Sequence, residues 1–391
     1  MYNERRILLA LFSIAFGIRV LYAALVGIGA AGGPAAITAE AGYGFKIAEG
    51  TDWITKPLSP RAPGYPVFLG IIVRVFGKHI WPALIAQALL GGFLTVVLYR
   101  LGKLLGGRAV GLLSAFWIAL FVHHIYFSSL LVHDVLSCFI LTALVLVLAR
   151  PFTRMRFSLL AGALYAYLAH IDPQFLLLLP VFAAFLLFLL SRYLVLNLQY
   201  LFLFLSTIIV VSAPWTARNY YVYKQFVPVS LEANRYIHPI RQKLPAQIRE
   251  MTRGEIPEIS KSRISRMKEN ATEFWRVTNL GSHTDGENVS DENVRNAWSL
   301  RHNIISIANY GVLLPFFILG VVSVFIRRNR AGILAGTTAL AYFAVRLFFG
   351  GNETVRLQIE PLIIVLSFYA IIEIVEIIRR KPEKPGLEVD S

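Results

Sequence analysis

The residues best suited to chemistry in this chain are two carboxylates and four arginines at the margins of apolar runs, where an unpartnered charge is expensive. Glu40 lies in TAEAGYGFKIAEG. A helical reading puts it on one stripe with Tyr43, Gly44 and Ile47, and Glu49 on the opposite face. An acid on the inward stripe of an interfacial helix is expensive unless it has a partner or a task, and the alternative is a solvated loop acid. Asp134 follows His133 at the start of another apolar run, with Ser137, Cys138 and Leu141 continuing its face; it either points into a bundle or interacts with the helix dipole. Arg61 is held between prolines in SPRAPGYP, and its planar donors suit a phosphate as they suit lipid headgroups. Arg346 and Arg356 are further candidates for an anion, with snorkelling to headgroups the simple alternative for Arg346, and Arg218 stands just past another apolar run. Tyr43, Tyr65, His133 and Glu360 neighbour these charges in sequence and are expected in the substrate pocket.

Other polar residues have plainer explanations. Asp172 before Pro173 reads as a helix N-cap followed by proline at the first helical position. His123, His124 and His133 lack the spacing of a zinc site, so no metal ligand is assigned, and the two outer carboxylates leave a divalent cation open. Cys138 is the single cysteine, which excludes an intrachain disulfide.

The elements that must position these groups are membrane-spanning helices. Of 391 residues, 56% are hydrophobic and 16% charged, and the apolar runs are too long and numerous for the core of a water-soluble domain. A net charge of +15 would suit a nucleic-acid binder, but the basic residues cluster in short loops between apolar runs, so no nucleic-acid partner is expected. Spans are expected at 7–28, 80–100, 109–123, 131–149, 158–170, 174–190, 199–216, 304–326, 331–348 and 361–378, an all-α polytopic bundle of about ten transmembrane helices. The first is read as a span and not as a cleavable signal peptide. Gly64–Gly77, with 14 residues, falls short of the roughly 20 needed to cross and is read as an interfacial or re-entrant helix. That choice puts Arg5, Arg6, Arg100, Lys103, Arg108, Arg150, Arg154, Arg156, Arg192, Arg327, Arg328, Arg330, Arg379 and Arg380 on the cytoplasmic side of a plasma (inner) membrane, with both termini. The expected organisation is an N-terminal transmembrane catalytic module, 1–216, whose first outer loop is 29–79; an outer-face loop region, 217–303; C-terminal transmembrane helices, 304–378; and a cytoplasmic tail, 379–391.

The segments EAGYGFKIAEG, PRAPGYPVFLGIIVRVFG, SSLLVHDVLS, APWTARNYYVYKQFVPVS and RLQIEPL, in that order, resemble the GT-C class of integral membrane glycosyltransferases, in the branch of protein O-mannosyltransferases and lipid A aminoarabinose transferases (glycosyltransferase family 39-like). The resemblance runs over roughly 5–378. It implies a GT-C-like bundle, Glu40 as catalytic base where relatives usually carry Asp, and Asp134 as the second outer-loop acid. It further implies that Arg61, Arg218 and Arg356 line the donor site. His170, Ile171, Asp172 and Pro173 stand where many relatives have an Arg-Pro pair, and the large soluble C-terminal domain of some relatives has no counterpart in this sequence.

An outer-face transferase cannot readily draw on cytoplasmic nucleotide sugars. The expected partners are therefore a polyprenyl-phosphate sugar donor, a lipid, glycan or protein acceptor, and membrane lipids. Transfer would proceed with inversion, a carboxylate base and no certain cofactor. The alternatives are a transporter or lipid/glycan flippase, which would favour internal repeats and charges along a path, and a non-catalytic scaffold. No repeat is found, and the charges gather at one surface.

Overall fold

A computed structural model describes residues 2–29, 39–50, 54, 62–77, 79–150, 155–189, 192–231, 263–275, 311–349 and 353–379. Arg61, most of the 217–303 region and the tail beyond Arg379 lie outside the described residues, and so does the side chain of Glu40. No strand occurs among the described residues, which form α1 (Tyr2–Gly29), α2 (Ala39–Glu49), α3 (Gly64–Phe76), α4 (Ile80–Leu120), α5 (Val122–Phe127), α6 (Asp134–Ala149) and α7 (Arg156–Ile171). A 3-10 segment (Pro173–Leu178) leads into α8 (Leu179–Ala184) and a π-helical turn (Phe185–Leu189). There follow α9 (Leu194–Tyr223), α10 (Arg263–Trp275), α11 (Leu313–Ile326), α12 (Arg330–Phe349), a 3-10 segment (Glu353–Gln358) and α13 (Glu360–Arg379).

Five of these helices are long and apolar enough to cross a membrane, α1, α4, α9, α12 and α13, and shorter apolar helices lie at Gly64–Phe76, Asp134–Ala149, Pro173–Phe188 and Leu313–Ile326. Large apolar side chains such as Leu9, Phe93, Phe202, Ile209 and Ile318 point outward on them, which only a hydrocarbon surround makes inexpensive. The chain is a multi-pass membrane protein.

α4 has 41 residues, and a straight helix of that length would measure about 60 Å, twice the hydrocarbon core. It is not straight. Gly106 and Gly107 leave helical geometry, Gly107 with φ 84, and a Cβ on Gly102 would lie 2.8 Å from the Cα of Gly111. The chain therefore doubles back at the glycine pair into two arms, which match the spans expected at 80–100 and 109–123. Arg19 of α1 ties the arms together. Its guanidinium abuts Gly91 on the first arm and donates to the carbonyls of Ala119 (3.2 Å) and Ile118 (3.1 Å), at the C-terminal end of the second. A buried cation is tolerated there because the unsatisfied carbonyls of a helix end carry partial negative charge.

α2 and α3 form a close pair. A Cβ on Gly44 would come within 2.7 Å of Leu69, and one on Gly70 within 2.7 Å of Ile47, so the stripe of Gly44 and Ile47 read from the sequence is the packing face, and Glu49 is exposed. α7 and α9 run parallel, with Ser158 Oγ donating to Tyr200 O and Gly162 packed on Phe204 O. Glu4 accepts from Tyr99 and Lys103, and Asn329 donates to Leu105 O, which marks one end of the bundle. The C-termini of α7, α9 and α12 and the N-terminus of α13 mark the other.

Candidate functional site

At this second end, short irregular elements turn charged side chains inward. Phe121 adopts an extended backbone (φ -69, ψ 109) that breaks α4 from α5, and α5 presents His123 and His124 to the first residue of α13, Glu360. His123 Nδ1 lies 2.8 Å from Glu360 Oε1. His124 Nε2 lies 3.3 Å from Oε2, within ion-pair range but out of line for a hydrogen bond. Burial holds the His124 imidazole below its usual range, against the upward pull of the Glu360 carboxylate. The 3-10 segment before α13 places Arg356 one turn ahead, where its Nε donates to Glu360 Oε1 (3.2 Å) and its Nη1 to Phe274 O of α10 (3.2 Å).

A second chain of contacts begins at Asp134, the first residue of α6 and 3% exposed. Gln358 Nε2 donates to Asp134 Oδ1 (3.2 Å), and the hydroxyl of Tyr342 donates to Gln358 Oε1. Arg346, one turn along α12, donates to the Tyr342 hydroxyl (2.6 Å) and to Asp172 Oδ2 (2.8 Å). Asp172 is the N-cap that the sequence suggests, accepting from Gln174 N at 2.9 Å, and its other oxygen takes Arg346. The two carboxylate oxygens therefore serve two tasks, of which local sequence reveals only the first. Arg346 does not snorkel to headgroups; it is 5% exposed.

The structure thus gathers Asp134, Arg346, Arg356 and Glu360 into one buried polar layer, with the half-buried His133 at its edge, its Nε2 4.0 Å from Asp134 Oδ1. The other described site residues make their printed contacts outside these two chains of hydrogen bonds. Arg218 is clasped near the end of α9 by the Trp215 and Tyr223 rings, 4.9 and 5.8 Å from their centroids, and donates to Asn219 Oδ1. The same stretch anchors the turn after α9 through Trp215, Thr216 and Asn219, which donate to the carbonyls of 227–229. Tyr65 is 1% exposed and spends its hydroxyl on Gln87 Oε1 (2.6 Å), whose amide in turn fixes the carbonyls of Ser128 and Leu130 ahead of Asp134. Tyr43 is half-buried, with Lys46 over its ring. Glu40 occupies the first turn of α2. Gly64, three residues after Arg61 in sequence, packs so tightly on α7 that a Cβ would lie 2.7 Å from His170 O.

Sequence reasoning missed Gln358, Tyr342 and Gln87, and passed over His123 and His124. Their signal was polarity inside an apolar stretch, which is weak without knowledge of the neighbouring helix. No group of three or more His, Cys, Asp and Glu side chains that could hold a metal ion occurs among the described residues. Three carboxylates (Asp134, Asp172, Glu360) face two guanidiniums (Arg346, Arg356) across the layer. Such an array can fix a carboxylate in one rotamer, the condition for orienting a substrate or a base.

Residues 59–216 match the family model of dolichyl-phosphate-mannose-protein mannosyltransferase. No curated protein sequence matches the chain. Among solved structures, the apo oligosaccharyltransferase of Archaeoglobus fulgidus is similar at TM-score 0.61 and 12% identity, over 95% of this chain and 51% of that one. The same enzyme tethered to an acceptor peptide containing the NVT sequon gives TM-score 0.59 at 14% identity, over 94% of this chain and 50% of that chain. Its complex with an inhibitory peptide and a dolichol-phosphate gives 0.52 at 14% identity, over 99% and 53%. The chain spans about half the length of the solved chains it matches. It has the GT-C-like fold of these structures, and residues 59–216 are similar in sequence to the dolichyl-phosphate-mannose-protein mannosyltransferase family.

Proposed function

We propose that this protein transfers a glycosyl unit from a polyprenyl-phosphate donor to an acceptor hydroxyl, with inversion, at the end of the bundle that carries the Asp134 and Glu360 layer, on the extracytoplasmic face. The observation that carries the reading is that layer: three buried carboxylates and two arginines gathered by five separate segments at one end of a bundle with the GT-C fold. A transporter would place such charges along a path through the bilayer. The dolichol-phosphate bound to one similar structure supports a lipid-phosphate donor.

In this reading the Glu40 carboxylate removes the proton of the acceptor hydroxyl as that oxygen attacks the anomeric carbon. The bond from that carbon to the phosphate oxygen breaks on the opposite face, and the lipid phosphate leaves with the electron pair. Arg61 and Arg218 grip the departing phosphate. Arg346 and Arg356 already have carboxylate partners, which favours a positioning role: they hold Asp172 and Glu360, and Arg346 acts through Tyr342 and Gln358 to fix Asp134 beside the substrate.

Purified protein in nanodiscs, given a labelled polyprenyl-phosphate sugar pool and membrane extract, tests this directly. Transfer by the wild type that is lost in Glu40→Gln is the expected result. Full transfer by the mutant would remove Glu40 as base, and no transfer by folded wild type across a broad donor and acceptor panel would sink the enzyme reading.

A further inference from the structure

We infer that a cavity at the end of the bundle opposite the candidate site binds the headgroup of an amine-bearing phospholipid, of the ethanolamine type. It occupies about 440 Å³ where the glycine bend of α4 meets the turn between α11 and α12 and the last turns of α13. That is the lower part of the roughly 300–1,000 Å³ range of small-molecule sites, suited to a headgroup and not to a whole lipid.

Its polar lining has both signs of charge, held apart. Arg327 Nε lies 2.5 Å from Glu373 Oε1, the Ser323 hydroxyl donates to the other oxygen of that carboxylate, and Asn329 is fixed through Leu105 O. Glu373 is therefore occupied by neighbours. Glu376, about one turn further along α13, lines the same cavity, is exposed, and forms no ion pair among the described residues. Arg327, with its side chain 49% exposed, still offers a cationic surface.

A zwitterion fits this pattern: its phosphate meets Arg327, and its ammonium meets Glu376. A primary ammonium brings three hydrogen-bond donors to a carboxylate, whereas a quaternary choline brings none. An anionic headgroup without an amine would set its charge against two carboxylates. The position suits a lipid and not a soluble metabolite, because the cavity lies at helix ends beside the outward-facing Ile326, Ile377 and Ile378, which offer apolar surface to acyl chains.

Native mass spectrometry of the full chain in detergent, with equimolar phosphatidylethanolamine, phosphatidylcholine and phosphatidylglycerol, tests the assignment. Retention of phosphatidylethanolamine at least about tenfold over the other two is expected, the low end of the scale of one charge-assisted hydrogen bond. Glu376→Gln should bring the three near parity without moving the thermal midpoint, since this carboxylate supports no described contact. Stepwise N-methylation of the ethanolamine group should lower retention by the wild type, a readout independent of any mutant's folding. Equal retention of phosphatidylethanolamine and phosphatidylcholine by the wild type, a preference for phosphatidylglycerol, indifference to N-methylation, or an unchanged preference in Glu376→Gln would overturn it.

Discussion

The pair of Asp172 and Arg346 shows how a buried charge acquires more than one function. Asp172 starts the 3-10 segment by capping Gln174 N, and its second oxygen holds Arg346 at 2.8 Å. Removing one member leaves the other charged and desolvated, so Arg346→Met should destabilise the protein by about 3 kcal/mol, read from unfolding in detergent. Adding Asp172→Asn to that variant should recover part of the loss; strict additivity would show that the two are not coupled. Gln358 offers a sharper separation of roles. It joins Tyr342 to Asp134 without a charge of its own, so Gln358→Leu should lower kcat for glycosyl transfer while leaving KM nearly unchanged if its task is to orient Asp134. For the base itself, Glu40→Gln should reduce transfer by about 10²–10⁴-fold in the nanodisc assay.

Among the elements, glycines set how closely helices approach. A Cβ on Gly320 of α11 would fall 2.2 Å from the backbone oxygen of Leu366 in α13, whereas one on Gly336 of α12 would meet nothing closer than 3.7 Å. Backbone cannot move aside as a flexible side chain can, so Gly320→Ala should cost about 1–3 kcal/mol in unfolding free energy by forcing α11 from α13. Gly336→Ala should be neutral or slightly stabilising, and equal effects at the two sites would refute the packing argument. Because α13 carries Glu360 at its start, displacement of its axis by Gly320→Ala is also expected to lower transfer activity.

For the whole molecule, the bundle has two chemically different ends. One holds Asp134, Asp172, Arg346, Arg356 and Glu360, and the other holds the bend of α4, Arg327 and Glu373. The arginine-rich turns are expected inside and the carboxylate layer outside. Cys138, the single cysteine, is buried at 0% exposure, so the native background should be silent to thiol reagents. Lys224→Cys, past the end of α9, should react with a membrane-impermeant maleimide on intact cells, and Arg328→Cys, after α11, only once the membrane is opened. The reverse pattern would invert the orientation and move the proposed donor to the other leaflet.

Hydropathy and the placement of basic residues determined much of this from the sequence alone. They gave an all-helical polytopic membrane protein, the Gly44 and Ile47 packing stripe of α2, a short apolar α3, and the reversal between residues 100 and 109, because each depends on local periodicity or on local transfer free energy. Asp134, Arg346, Arg356 and Glu360 were legible as candidates because charge beside apolar sequence is rare. Their partners were not. The sequence separations of 224 positions from Asp134 to Gln358, 174 from Asp172 to Arg346 and 237 from His123 to Glu360 carry no periodicity that would pair them. Only the packing of α5, α6, α7, α12 and α13 decided which acid meets which base, and it drew Arg346 into the protein where its sequence position equally allowed lipid. It also assigned Tyr65 to Gln87, since a hydroxyl buried by helix packing must find an acceptor among whatever side chains the fold places within reach.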